Sequence, residues 1–108
     1  MKIFVDIDNT ICKTGSRDGD NPFDYEDSQP IPERIQLINS LFDKGHDIIY
    51  WTARGSSTGN DYSEITVSQL DQWGAKRNGV IFGKPSYDMY IDDKSVNSEN
   101  FFKIFESI

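Results

Sequence analysis

Ile3-Phe4-Val5-Asp6-Ile7-Asp8-Asn9-Thr10-Ile11-Cys12 decides how this chain is read. A run rich in Ile, Phe and Val suits a central strand buried on both faces. It then delivers two carboxylates and the hydroxyl of Thr10. Residues two apart in a strand share a face, so Asp6 and Asp8 are expected to point the same way where the strand runs out. Like charges at that spacing repel, and packing has no use for them. A metal ion or a phosphoryl group would account for the pair.

Outward from this stretch, apolar runs alternate with helical periodicity. The first strand is expected over residues 2–8. Residues 13–30 hold two Gly, two Pro and five acidic residues and read as a loop. Pro32 suits a helix start, Ile35, Ile38, Leu41 and Phe42 recur at helical spacing, and Gly45 closes the helix. Residues 47–52 form a second strand ending in Thr52, and Arg54 opens a Gly/Ser loop. A helix is expected over 62–73, with Ile65, Leu70 and Trp73 inward and Gly74 as its stop. Residues 80–82 make a third strand, followed by the Lys84-Pro85 turn, and residues 89–91 a fourth ending at Asp92 and Asp93. The last segment, 97–108, reads as an amphipathic helix carrying Phe101, Ile104, Phe105 and Ile108. The expected fold is α/β: one Rossmann-like, three-layer domain over residues 1–108, with a central parallel sheet and right-handed crossovers.

Bulk composition narrows the function classes. The 108 residues suffice for one modest core. A net charge of −7 with 11 scattered basic residues argues against nucleic acid or an anionic membrane as partner. One Cys excludes an internal disulfide framework and fits a reducing compartment. No signal peptide is visible, and no run approaches the roughly 20 apolar residues of a membrane span. A cytoplasmic protein is expected.

Ligands of open parallel sheets bind beyond the carboxyl ends of the strands. Asp6 and Asp8, Thr52, Lys84, and Asp92 with Asp93 all fall at such ends, so four strand ends are expected to converge. Four carboxylates in one cleft repel unless a divalent cation joins them, and hard oxygen ligands select Mg²⁺. Lys84, Thr52 and backbone N–H groups after Asp8, at Asn9, can serve the oxygens of a phosphoryl group. The set suits phosphoryl transfer.

The order Asp-x-Asp-x-Thr, strand-end Thr, Lys, Asp-Asp resembles the haloacid dehalogenase (HAD) superfamily of phosphatases over nearly the whole chain. The resemblance implies Asp6 as the nucleophile that forms an aspartyl-phosphate and Asp8 as general acid and then base. It implies that Thr52 and Lys84 hold the phosphoryl group. Asp92, Asp93 or both would complete the Mg²⁺ site with a carboxylate of Asp6 and the main-chain carbonyl of Asp8. Asn9 stands where many members have Gly. The intervals between motifs leave no room for a cap domain, so the chain looks like the capless type and resembles small phosphatases of bacterial capsular-polysaccharide biosynthesis. The expected substrate is a sugar phosphate or similar small metabolite. The acidic flap at 13–30, with Arg17, Phe23 and Tyr25, is the candidate substrate-contacting segment, and a second subunit would be the other means of closing the site.

Several residues have plainer readings. Arg54 either binds a substrate anion or pairs with a surface acid, and Thr10 is a candidate substrate contact. Cys12 reads as a buried filler, His46 as structural, and Trp51 and Trp73 as core. A response-regulator receiver would place its acidic pair on the first strand and its Lys on the last; here Lys84 precedes the final Asp-Asp. A polynucleotide or protein phosphatase of the same superfamily is the alternative, although nucleic acid would ask for a basic groove. A non-catalytic phospho-acceptor module is the other.

Overall fold

A computed structural model describes residues 1–14 and 25–106. Arg17, Phe23 and Ile108 lie outside the described residues. In chain order the elements are β1 (Lys2–Val5), β2 (Cys12–Lys13), a single 3-10 turn at Tyr25–Asp27, β3 (Gln29–Pro30), α1 (Pro32–Asp43), β4 (Asp47–Trp51), α2 (Ser63–Gln72), β5 (Gly79–Ile81) and α3 (Ser98–Glu106). β1, β4 and β5 form a parallel sheet in the order β1-β4-β5, flanked by helices, and β2 pairs with β3 antiparallel. The expected α/β class stands: a compact, Rossmann-like domain with a parallel sheet.

Local chemistry explains the element limits. Pro32 sits at the start of α1, where its missing N–H costs nothing, and Gly45 follows the last turn at φ 96°. Gly74, at φ 69°, ends α2 in the same way. β1 stops at Val5, earlier than expected. Beyond it the Thr10 and Ile11 N–H groups both turn back to the Ile7 carbonyl at 3.1 and 3.0 Å, with Asn9 left-handed at φ 60°. Asn is among the few residues that accept that conformation, so the turn carrying the Asp pair forms without Gly.

Partners in register share a face of the sheet. Val5, Ile48 and Tyr50 lie on one face and join Ile7, Ile11, Ile35, Ile38, Leu70 and Phe102 in a single core. All three helices contribute to that core. The opposite face carries Phe4 beside Ile49 and Trp51 beside Ile81. It stays open: Phe4 is 52% and Ile81 45% exposed. The described residues therefore supply two of the three expected layers.

Three sequence expectations need correction. β4 is the central strand and β1 lies at the edge of the described sheet, because both flanking strands pair with β4. Trp51 does not enter the core but stands edge-on to Phe4 on the open face, ring centroids 5.9 Å apart. Residues 89–91 form no strand. Three apolar residues gain too few contacts to order themselves without a neighbouring strand, and β1 has none on its outer side among the described residues.

Tyr50 is fully buried, and among the described residues its hydroxyl has no hydrogen-bond partner. Burial accordingly pushes its phenol well above the ordinary value. Tyr50→Phe removes the desolvated polar atom and keeps the ring, so folding stability, read from urea unfolding, should hold or rise by up to about 1 kcal/mol. A clear loss would show that the hydroxyl is satisfied.

Candidate active site

Asp6 and Asp8 leave the end of β1 as expected and enter two different environments. Asp6 faces the ammonium of Lys84, with Nζ 3.6 Å from Oδ1, and Thr10 donates to its Oδ2 at 3.4 Å. Lys84 is brought there from the end of β5. Its N–H donates to the Thr52 carbonyl at 3.1 Å, and its ammonium lies over the rings of Trp51 and Tyr87 at 5.6 and 5.4 Å. Burial is the strongest influence on Asp6 and raises its carboxyl above the ordinary value. Lys84 and the Ile7 N–H pull the other way, and the Asp8 charge adds to the rise. The shift follows from placing a charged group in a partly dry cleft.

Asp8 is gripped instead. Arg54 donates to both its oxygens, Nη2 to Oδ1 at 2.8 Å and Nε to Oδ2 at 3.0 Å. The hydroxyl of Thr14 makes a short bond to Oδ1 and also meets Ser28 Oγ at 2.9 Å. Arg54 is only 3% exposed. Its remaining nitrogen, Nη1, donates to Thr66 Oγ1 at 3.1 Å and Gln69 Oε1 at 2.7 Å, and the guanidinium stacks 4.6 Å above the Tyr25 ring. Gln69 in turn donates to the Tyr25 carbonyl. The fork geometry of Arg suits this bidentate grip in a way a point charge does not.

Of the expected site residues, the structure brings together Asp6, Thr10 and Lys84, and beside them Asp8. Arg54 settles on pairing with an acid, but the acid is Asp8 of the site itself, and the pair is half-buried, with Arg54 enclosed and the Asp8 side chain 22% exposed. Thr52 lies next to both groups yet is itself buried, 1% exposed, and its Oγ1 accepts the Arg54 N–H at 3.1 Å. Asn9 is exposed, and its side chain accepts the Thr14 N–H at 3.4 Å. Cys12 is buried as expected, and burial pushes its thiol up.

Asp92 and Asp93 do not join the others. Both are exposed, and the Asp92 carboxylate caps its own turn by accepting the Lys94 N–H at 3.0 Å. Among the described residues no three His, Cys, Asp or Glu side chains gather into a group that could hold a metal ion. The Asp8 carboxylate is already committed to Arg54 and Thr14. The described residues thus do not bring the four expected carboxylates into one group.

Thr14, Ser28, Thr66 and Gln69 escaped the sequence reading, while Tyr25, expected to contact substrate, packs its ring against the Arg54 guanidinium. A signal did exist: Thr66 and Gln69 fall with Leu70 and Trp73 on the inward stripe of α2, where polar residues need a buried partner. A cleft beside the site is lined by Arg54, Gly55, Asn60, Tyr62, Phe82 and Gly83. Gly55 is required there, since a Cβ would lie 2.2 Å from the Asn60 carbonyl oxygen.

No protein-family model and no curated protein matches the chain. Among solved structures, the crystal structure of a structural-genomics target from Vibrio cholerae is similar, at 26% identity and a TM-score of 0.74 over 98% of this chain and 97% of that one. This likeness extends along the whole fold.

Removing the Arg54 guanidinium strands the Asp8 carboxylate and two buried acceptors. Arg54→Ala should lower folding stability by about 3–5 kcal/mol, read as the urea midpoint. Arg54→Lys should recover part of that loss, because one ammonium can meet Asp8 but cannot satisfy Thr66 and Gln69 as well. Unchanged stability in both would mean that the grip contributes nothing to the fold.

Proposed function

We propose that this chain is a phosphomonoester hydrolase acting through an aspartyl-phosphate. The observation that carries the reading is the differentiated carboxylate pair at the end of β1: Asp6 faces the Lys84 ammonium at 3.6 Å, and Asp8 is fixed two residues on by Arg54. Two equal solvated acids would need neither partner.

In the proposed reaction an Asp6 oxygen attacks phosphorus and the bond from phosphorus to the ester oxygen breaks. Asp8 accepts from Arg54 on both oxygens in the resting structure. To serve as the acid it would first leave that grip, take a proton from solvent, and then pass it to the departing alkoxide. Water then attacks the phosphorus of the aspartyl-phosphate and gives a proton to Asp8. The acyl phosphate bond breaks, releasing inorganic phosphate and the free Asp6 carboxylate. Lys84 places positive charge against the phosphoryl oxygens, and preorganised charge of this kind supplies much of the rate enhancement in many enzymes. The cleft beside Lys84 would take the leaving group.

A small sugar phosphate or similar metabolite fits best. The net charge of −7 disfavours a polyanionic substrate. No helix among the described residues is long and apolar enough to cross a membrane. The lone, buried Cys is compatible with the cytoplasm.

A screen of phosphorylated metabolites should find turnover in the wild type, and Asp6→Asn should lose roughly 10³-fold or more of it. Wild-type turnover in that variant would end the aspartyl-phosphate reading. The same substitution carries a stability signature. Because the folded carboxyl of Asp6 titrates above the ordinary 3.8, the folded state holds the proton more readily than the unfolded chain. Stability is then lost as pH rises through the folded value. Asp6→Asn should therefore be more stable than wild type at neutral pH, with the advantage shrinking as pH falls toward 3.8. A melting-temperature series across pH reads this directly.

A further inference from the structure

The loop after β4 delivers a carboxylate to the cleft beside Lys84. Gly55 and Gly59 take positive φ, 86° and 76°, and the Gly59 N–H donates to the Gly55 carbonyl at 2.8 Å. Ser56 Oγ donates to the Lys84 carbonyl at 2.7 Å, which ties the loop to the segment that places the ammonium against Asp6. The far end of the loop is fixed as well. The Asn60 amide donates to the Tyr62 hydroxyl at 3.3 Å, and the Tyr62 ring stands edge-on to Tyr25 at 4.8 Å. Between Asn60 and Tyr62 lies Asp61.

Asp61 is exposed and lines the cleft. Its Oδ1 accepts the N–H and the hydroxyl of Ser63 at 2.9 and 2.6 Å, which fixes the direction of the side chain. The Ser63 hydroxyl, and then its N–H, hold the carboxyl below the ordinary value, so the group is ionised at neutral pH. Among the described residues it has no ion-pair partner, and its Oδ2 accepts no hydrogen bond. The other charged side chain lining the cleft is Arg54, whose charge Asp8 already meets in the resting structure. An entering leaving group therefore finds one unmatched negative charge, polar groups of Ser56, Asn60 and Tyr62, and the ring of Phe82.

We propose that Asp61 is the specificity-determining residue of this cleft: it accepts hydroxylated, uncharged alcohols and turns away those that carry a second anionic group. The role rests on the phosphatase reading and deepens it, by naming which alcohols leave. A carboxylate oxygen takes the O–H groups of such an alcohol and has nothing to offer a second carboxylate or phosphate. Repulsion supplies the rest of the selection, since a mismatched charge rejects the wrong ligand as a good contact favours the right one. The cleft holds about 200 Å³. That is below the roughly 300–1,000 Å³ of pockets for larger ligands and suits one small alcohol.

Two matched pairs of esters test this role, each pair differing by a carboxylate in place of a hydroxymethyl group. They are glycerol 3-phosphate against 3-phosphoglycerate, and glucose 1-phosphate against glucuronic acid 1-phosphate. Asp61→Asn removes the charge and keeps an oxygen for Ser63. Calorimetric titration is run on Asp6→Asn, in which the ester stays intact, and on Asp6→Asn combined with Asp61→Asn. The first chain should bind the uncharged member of at least one pair about tenfold more tightly, and the second should lose most of that preference. High salt should narrow the preference in the first chain, because an exposed charge is screened. Equal affinities within both pairs, a preference that survives Asp61→Asn, or no binding of any of the four esters overturns the role of Asp61. Turnover of the same esters by the wild type, with Mg²⁺ present, is measured alongside. A wild type that hydrolyses none of them while the binding preference holds fails the phosphatase reading alone. An active wild type without the preference sinks the role of Asp61 alone.

Discussion

The buried guanidinium of Arg54 is the constraint on which the rest of the structure depends. A charge taken from water at that depth is tolerable only when its donors are met, and the fold meets them from several directions. Asp8 arrives from the end of β1, Thr66 and Gln69 from α2, and Tyr25 from the returning flap, while Arg54 itself follows β4. One side chain thus fastens the acidic turn to the second helix and to the base of the flap. It also separates two carboxylates that would otherwise behave alike, leaving Asp6 to Lys84.

This arrangement shows which parts of the sequence were legible. Helix α1, with Ile35 and Ile38 inward and Pro and Gly at its ends, follows from periodicity because its environment is a plain apolar core. β1 and β4 follow for the same reason. α2 was legible as a helix but not in detail: its inward stripe includes Thr66 and Gln69, whose partner is a residue from a Gly/Ser loop that no periodicity connects to it. Strand ends placed Asp6, Asp8, Thr52 and Lys84 in one neighbourhood, as the rule for parallel sheets requires. The rule says nothing about which of them are buried, so Thr52 looked like a ligand and is instead enclosed, and Arg54 looked uncertain and is central.

The segment at 89–91 shows a different limit. Its composition reads as a strand, and a strand is a property of a pair. Apolar alternation states that a residue prefers to be covered; it cannot state by what. Helices satisfy their backbone internally and can be read one at a time. A strand's N–H and C=O groups are satisfied only by a neighbour, so the reading depends on a surface that the local sequence does not contain.

Size makes that dependence consequential. A chain of 108 residues with three described helices on one side of its sheet has little left to cover the other side. Phe4, Trp51 and Ile81 are then committed to solvent or to another molecule, and so are the apolar residues at 89–91. A larger domain would solve this with further helices, and a capped one would also close its active site.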